Sequence, residues 1–239
     1  MDYTNIIEKW KESRYLISMT PVEQVVRLGL DAGMSETSAV LDLCCGYGKM
    51  LSVWHEVCGI RGVGVDCCGE FIAEGKRLLA EKGITENEVE LIESDIFAWK
   101  TNEKFDYVSL SGEDFGGVAG TIDLLAGYAK PDGKLIIGTR YSKVDDPPKE
   151  LIEFEGETLS LGRINRIVRE KGYYITAMET DTNAEWERYI MWSARRHLAE
   201  LRKDPVNERK REWCEKWYDT YFGFRREFEG YVTFVIERE

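Results

Sequence analysis

The chain has 239 residues, 43% hydrophobic and 32% charged, with a formal net charge of −12. That length supports one large core and at most a modest accessory element. The acidic balance argues against a broad basic face for phosphate backbones or anionic membranes, so neither nucleic acid nor membrane is expected as a partner.

At the N-terminus, MDYTNIIEKWKESRYLI has no basic start followed by a signal-length apolar run. No segment approaches the ~18 consecutive apolar residues of a membrane span. A cytoplasmic, reducing setting is expected, in which Cys44, Cys45, Cys58, Cys67, Cys68 and Cys214 remain thiols. PVEQVVRLGLDAG, from Pro21 to Gly33, has apolar residues at helical spacing between a proline start and a glycine stop. AVLDL follows as a short buried strand, and a rhythm sets in: GKMLSVWHEVC helix, GVGVD strand, EFIAEGKRLLAEKG helix, VELIES strand. FDYVSLS is a fourth strand, VAGTIDLLAGYA a helix, and KLIIGTR a fifth strand introduced by the turn PDG. This alternation predicts an α/β fold with a parallel sheet and helices on both faces.

Beyond the fifth strand the rhythm changes. DDPPKE, residues 145–150, reads as an irregular loop, TLSLGRINRIVREKG as a helix, YYITAMET as a sixth strand and YVTFVIER as a seventh. Between the last two strands, residues 182–229 read as two or more helices. Residues 183–229 carry 11 Lys or Arg against 10 Asp or Glu, a near balance that favours solvated helix faces over a polyanion site.

The first strand runs into Cys45-Gly46-Tyr47-Gly48 and then a helix, a place where backbone amides approach a ligand closely. A dinucleotide fingerprint would need a third glycine at position 51, which is Leu51. Asp66, closing the second strand 20 residues after Gly46, is placed to accept both hydroxyls of a ribose. Together these features point to an adenosine-bearing ligand.

VLDLCCGYG resembles the first motif, usually LDLGCGTG, of class I S-adenosylmethionine (SAM)-dependent methyltransferases, and GVGVD resembles their second strand with its ribose-binding acid. SDIFAW is similar to their third motif, FDYVSLSGEDFGG occupies the fourth, and KPDGKLIIGTR resembles the fifth strand. WERYIMWSARRHLAEL and YDTYFGFRREFEGYVTFVIER are similar to the tail of a bacterial group of uncharacterised small-molecule methyltransferases. The resemblance implies a Rossmann-like seven-stranded sheet, parallel except for its seventh strand, with SAM as cofactor, S-adenosylhomocysteine (SAH) as product and no metal. It implies a cofactor set of Asp42, Cys44, Cys45, Gly46, Gly48, Asp66, Cys67, Asp95, Ile96 and Ser111, with Asp95 accepting from the adenine amino group. Cys44 departs from the family, which has glycine there, and a thiol gives up the freedom of positive φ.

Methyl transfer from a sulfonium is an in-line displacement, so positioning dominates. Glu113 and Asp114, after the fourth strand, are the candidate proton acceptors; capping of the next helix is their alternative use. A sixth strand ending, and an antiparallel seventh beginning, at the cofactor edge would make residues 182–229 a lid over the acceptor site. Phe115, Tyr141, Trp186, Tyr189, Tyr221 and Phe222 are then its candidate wall, although aromatics at helical spacing also make ordinary cores. Adjacent cysteine pairs without C-x2-C spacing do not suggest zinc, and His55 and His197 read as structural. The nucleic-acid branch of the fold has [DNS]-P-P-[YF] after the fourth strand; here the residues are Ser111-Gly112-Glu113-Asp114. A SAM-binding module without turnover stays open as a non-enzymatic reading.

Overall fold

The computed structural model describes residues 20–112 and 115–239. Helix α1 (Val22–Asp31) leads to β1 (Ala39–Leu43), then α2 (Lys49–Cys58), β2 (Arg61–Asp66), α3 (Gly69–Glu81), β3 (Val89–Glu93), β4 (Phe105–Ser111), α4 (Gly117–Ala126) and β5 (Ala129–Ser142). Helices α5 (Lys149–Glu155) and α6 (Leu161–Glu170) precede β6 (Tyr173–Thr180). The insertion comprises α7 (Asn183–Lys203), α8 (Glu208–Thr220), a π-helical turn (Tyr221–Arg225) and α9 (Arg226–Phe228), followed by β7 (Glu229–Arg238).

The seven strands form one sheet in the order β3-β2-β1-β4-β5-β7-β6. Pairs β1–β2, β1–β4, β2–β3 and β4–β5 are parallel, and β7 runs antiparallel between β5 and β6. Chain order proceeds outward from β1 to β3 in one direction and from β4 to β5 in the other, where β7 then comes before β6. The crevice of a doubly wound sheet therefore opens beyond the carboxyl ends of β1 and β4.

Alternating strand residues supply two cores. On one face Val40, Val89, Leu91, Ile136 and Val235 pack with Val25, Leu28, Leu51, Trp54 and Leu79 of α1, α2 and α3. On the other, Leu41, Leu43, Val108, Leu110, Ile137 and Phe234 pack with Ile122 and Leu125 of α4 and Ile164 and Val168 of α6. The Trp54 indole N–H donates to Val25 O at 2.8 Å, which satisfies a polar group in the wholly buried α1–α2 seam. His55 Nδ1 sits 2.7 Å from Ile60 O, joining α2 to the start of β2.

Two local differences from the sequence reading have physical causes. Pro131-Asp132-Gly133 is a bulge inside β5 rather than a turn before it: pairing shifts from Phe105↔Ala129 to Tyr107↔Lys134. A Cβ on Gly133 would lie 2.9 Å from Phe105 O, so glycine is the residue that fits. The loop of residues 145–150 gives way at Lys149 to α5, one short helix whose start at Pro148 hid it behind a proline pair.

Candidate functional site

The turn after β1 is built from backbone that few residues tolerate. Gly46 and Gly48 have φ of 55° and 66°, and Cys44, at 58°, is the only non-glycine residue with positive φ among those described. Cys44 thus adopts the left-handed conformation its glycine counterpart would take, at a cost of roughly 1–2 kcal/mol. Asp66, at the end of β2, holds the turn in place: one carboxylate oxygen accepts from Gly46 N at 2.8 Å and the other from Cys68 N at 2.9 Å. A carboxylate has about four lone-pair sites, so two hydrogen bonds leave Asp66 capacity for a ligand. Cys67, next to it, is exposed, and Cys45 is buried, with its thiol pushed well above the ordinary range by desolvation.

Behind the turn, Asp42 on β1 is buried and takes a 2.6 Å hydrogen bond from Ser109 Oγ of β4. Burial raises its pKa to about 7, against the opposing effect of that hydrogen bond. Ser109 is invisible in the sequence as a partner because the contact joins strands 67 positions apart.

Past β3, Asp95 is exposed and caps the following turn through Oδ1, which accepts from Phe97 N at 2.7 Å; its Oδ2 takes no hydrogen bond among the described residues. Ile96 is buried in the second core. Phe97, 54% exposed, meets Phe115 edge to face at 5.1 Å, an aromatic pair between the β3 and β4 ends in which the sequence reading included only Phe115. At the end of β4, half-buried Ser111 contacts the Tyr231 hydroxyl at 2.8 Å. Glu113 and Asp114 lie outside the described residues.

Tyr141 on β5 is buried against Gly230, and desolvation and nearby Asp181 raise its pKa. Within the insertion, Trp186 and Tyr221 are 1% and 0% exposed and form a small core with Ile190. Desolvation raises the Tyr221 phenol to about 12. Tyr189 is half-buried and stacks on Trp186 at 6.3 Å, whereas Phe222 is 63% exposed.

The π-helical turn brings Arg225 inside. Its guanidinium pairs with Glu229 Oε2 at 2.8 Å and Glu155 Oε1 at 2.9 Å, and its charge lies 4.9, 5.2 and 5.7 Å from the ring centres of Trp217, Phe154 and Trp186. Around it Trp186 Nε1, Trp217 Nε1, the Tyr221 hydroxyl, Arg225 Nη1 and Glu229 Oε1 are buried without a hydrogen-bond partner among the described residues.

A family profile described as "Methyltransferase domain" matches residues 40–133, which span β1 through the start of β5. The chain is 31% identical over 191 residues to uncharacterized protein YjhP of Escherichia coli (strain K12), covering 76% of this chain and 77% of that protein. The X-ray structure of E. coli YjhP superimposes with a TM-score of 0.87 over 98% of this chain and 100% of that one, at 26% identity. A SAM-dependent methyltransferase from Thiobacillus denitrificans, solved with SAH, gives a TM-score of 0.86 at 25% identity over 100% of both chains. Another from Geobacter sulfurreducens, also solved with SAH, gives 0.85 at 26% identity over 98% of both.

Proposed function

The chain belongs to the class I SAM-dependent methyltransferases, and from that premise we propose that it moves a methyl group from SAM to a small-molecule acceptor. The observation that carries the cofactor reading is the left-handed turn from Cys44 to Gly48 locked onto Asp66, because it sets glycine backbone, which a ligand can approach closely, next to a carboxylate with unused lone pairs. SAM supplies an electrophilic methyl on a sulfonium. The protein's part is to hold it and its acceptor in line and to keep water away.

In this reading the turn and Asp42 support the amino-acid end of SAM, Asp66 accepts from the ribose hydroxyls, and Asp95 Oδ2 accepts from the adenine amino group. Ile96 and the Phe97–Phe115 pair give the adenine an apolar surface. Ser111 and Cys67 flank the site, and Glu113 or Asp114 takes the proton of an acceptor that carries one.

Residues 182–229 form the lid over the acceptor. Tyr141, Tyr189 and Phe222 are its best-placed wall residues, with Trp186 and Tyr221 packed behind them. A polar acceptor is favoured by the unengaged donors around Arg225, since an unsatisfied buried group costs ~1–3 kcal/mol that a hydrogen-bonding ligand relieves. Net acidity and the Ser-Gly-Glu-Asp sequence after β4 weigh against a nucleic-acid substrate.

Calorimetric titration with SAH tests the cofactor site. Asp66→Ala should weaken binding by ~1.5–3 kcal/mol, the worth of hydrogen bonds to a charged group. Equal affinity in the two proteins would remove Asp66 from the site.

A further inference from the structure

Tyr231 lies on β7, two residues into the strand, and is 2% exposed. Its hydroxyl reaches across β5 to Ser111 Oγ on β4, 2.8 Å away. Gly138 of β5 makes the crossing possible, because a Cβ there would overlap Ser111 Oγ and stand 2.7 Å from the Tyr231 oxygen.

The direction of this hydrogen bond follows from its neighbours. The nearby Gly112 amide spends its proton on Gly138 O at 3.1 Å. An amide N–H only donates, so it offers the phenol proton no acceptor. Desolvation holds the phenol far above its ordinary range, so the proton stays on it. Among the described residues Ser111 Oγ is the acceptor available, and a buried hydroxyl proton left unpaired would be costly. Tyr231 therefore donates to Ser111. The Ser111 proton has no acceptor of its own among the described residues and turns outward from a half-exposed side chain at the carboxyl edge of β4. Both junctions of the insertion fix the tyrosine: Tyr231 N donates to Asp181 Oδ1 at 2.7 Å, and Asp181 N donates to Tyr231 O at 3.0 Å.

We propose that Tyr231 is a positioning residue that makes Ser111 a directed hydrogen-bond donor to a ligand oxygen held at that edge. The proposal rests on the SAM reading above. That oxygen belongs either to the amino-acid end of the cofactor or to a non-reacting part of the methyl acceptor; a donor aimed at the nucleophile itself would tie up the lone pair that must attack.

Tyr231→Phe, Ser111→Ala and the double variant are titrated with SAH and with 5′-methylthioadenosine, which has the nucleoside and thioether but no amino-acid carboxylate. With the cofactor as source, each single variant loses about 5–10-fold in SAH affinity, the double variant is no weaker than Ser111→Ala, and methylthioadenosine binding is unchanged. With the methyl acceptor as source, SAH affinity is kept in Tyr231→Phe while labelled methyl transfer into the small molecules of a cell extract falls by a similar factor. Equal weakening of both ligands would mean a general structural role and would overturn the proposal, as would a Tyr231→Phe protein indistinguishable from wild type in both assays. Wild-type protein that binds neither ligand would overturn the cofactor reading and this proposal with it.

Discussion

At the scale of single residues, the turn after β1 shows what a motif does and does not reveal. Gly46, Gly48 and Asp66 are legible because left-handed backbone and a strand-end carboxylate call for particular residue types. Cys44 keeps the conformation of the glycine it replaces, with φ of 58°, and packs its side chain at the edge of the second core. Cys44→Gly should relieve roughly 1–2 kcal/mol of left-handed strain and lose about 0.5–1 kcal/mol to the greater freedom of unfolded glycine. The expected result is a gain of about 0.5–1 kcal/mol, read as a higher denaturant midpoint at constant slope. A lower midpoint would mean that the thiol's packing outweighs its strain. Ser109, Gly138 and Tyr231 were not legible, since their importance lies in contacts across neighbouring strands that no local pattern encodes.

Among the elements, the insertion departs most from a simple periodic reading. Its helices were predictable: Thr182 and Glu185 form a capping box at the start of α7, and Asn207 caps α8. Its interior was not, because aromatic spacing is the same for a packed core and for a pocket wall. The π-helical turn directs both Tyr221 and Arg225 inward, so a basic side chain from an apparently solvated run becomes 2% exposed. Removing one partner of a buried ion pair strands the others at a cost of about 3–5 kcal/mol. Arg225→Met should therefore loosen the insertion, seen as protease cleavage within residues 183–228, while SAH affinity stays within about twofold. An unchanged cleavage pattern would show that the Glu155–Arg225–Glu229 network does not hold the insertion down. Because Thr180 and Val232 already pair across β6 and β7, replacing the insertion by a tight hairpin is structurally feasible. That protein should bind SAH and fail to transfer methyl; full turnover would end the lid reading.

For the whole molecule, burial of acids links stability to pH. Desolvation raises Asp42 from 3.8 to about 7, Glu229 from 4.5 to about 7 and Asp181 from 3.8 to about 6. In each case the folded chain binds the proton more tightly than the unfolded one. Their stabilising contribution is full below the unfolded pKa and is lost as pH rises through the folded values. The lowered acids Glu88, Asp106 and Glu237 act in the opposite sense, but below the ordinary carboxylate range. The melting temperature should thus be higher at pH 5.5 than at pH 8, and Asp42→Asn should flatten part of that slope; a melting temperature that rises with pH would contradict the assignment. The alternation of strands and helices made the doubly wound sheet legible, and the antiparallel β7 came from family resemblance. The bulge at Gly133 and helix α5 escaped because glycine and proline mark both turns and irregularities within or beside regular elements. The central claim, transfer from SAM to a small molecule, is tested most directly by incubating the protein with methyl-labelled SAM and a cell extract divided by mass into small molecules and macromolecules. The account predicts label in a product of the small-molecule fraction, formed with stoichiometric SAH. Label confined to macromolecules, or SAH-competent protein that transfers nothing to either fraction, would contradict it.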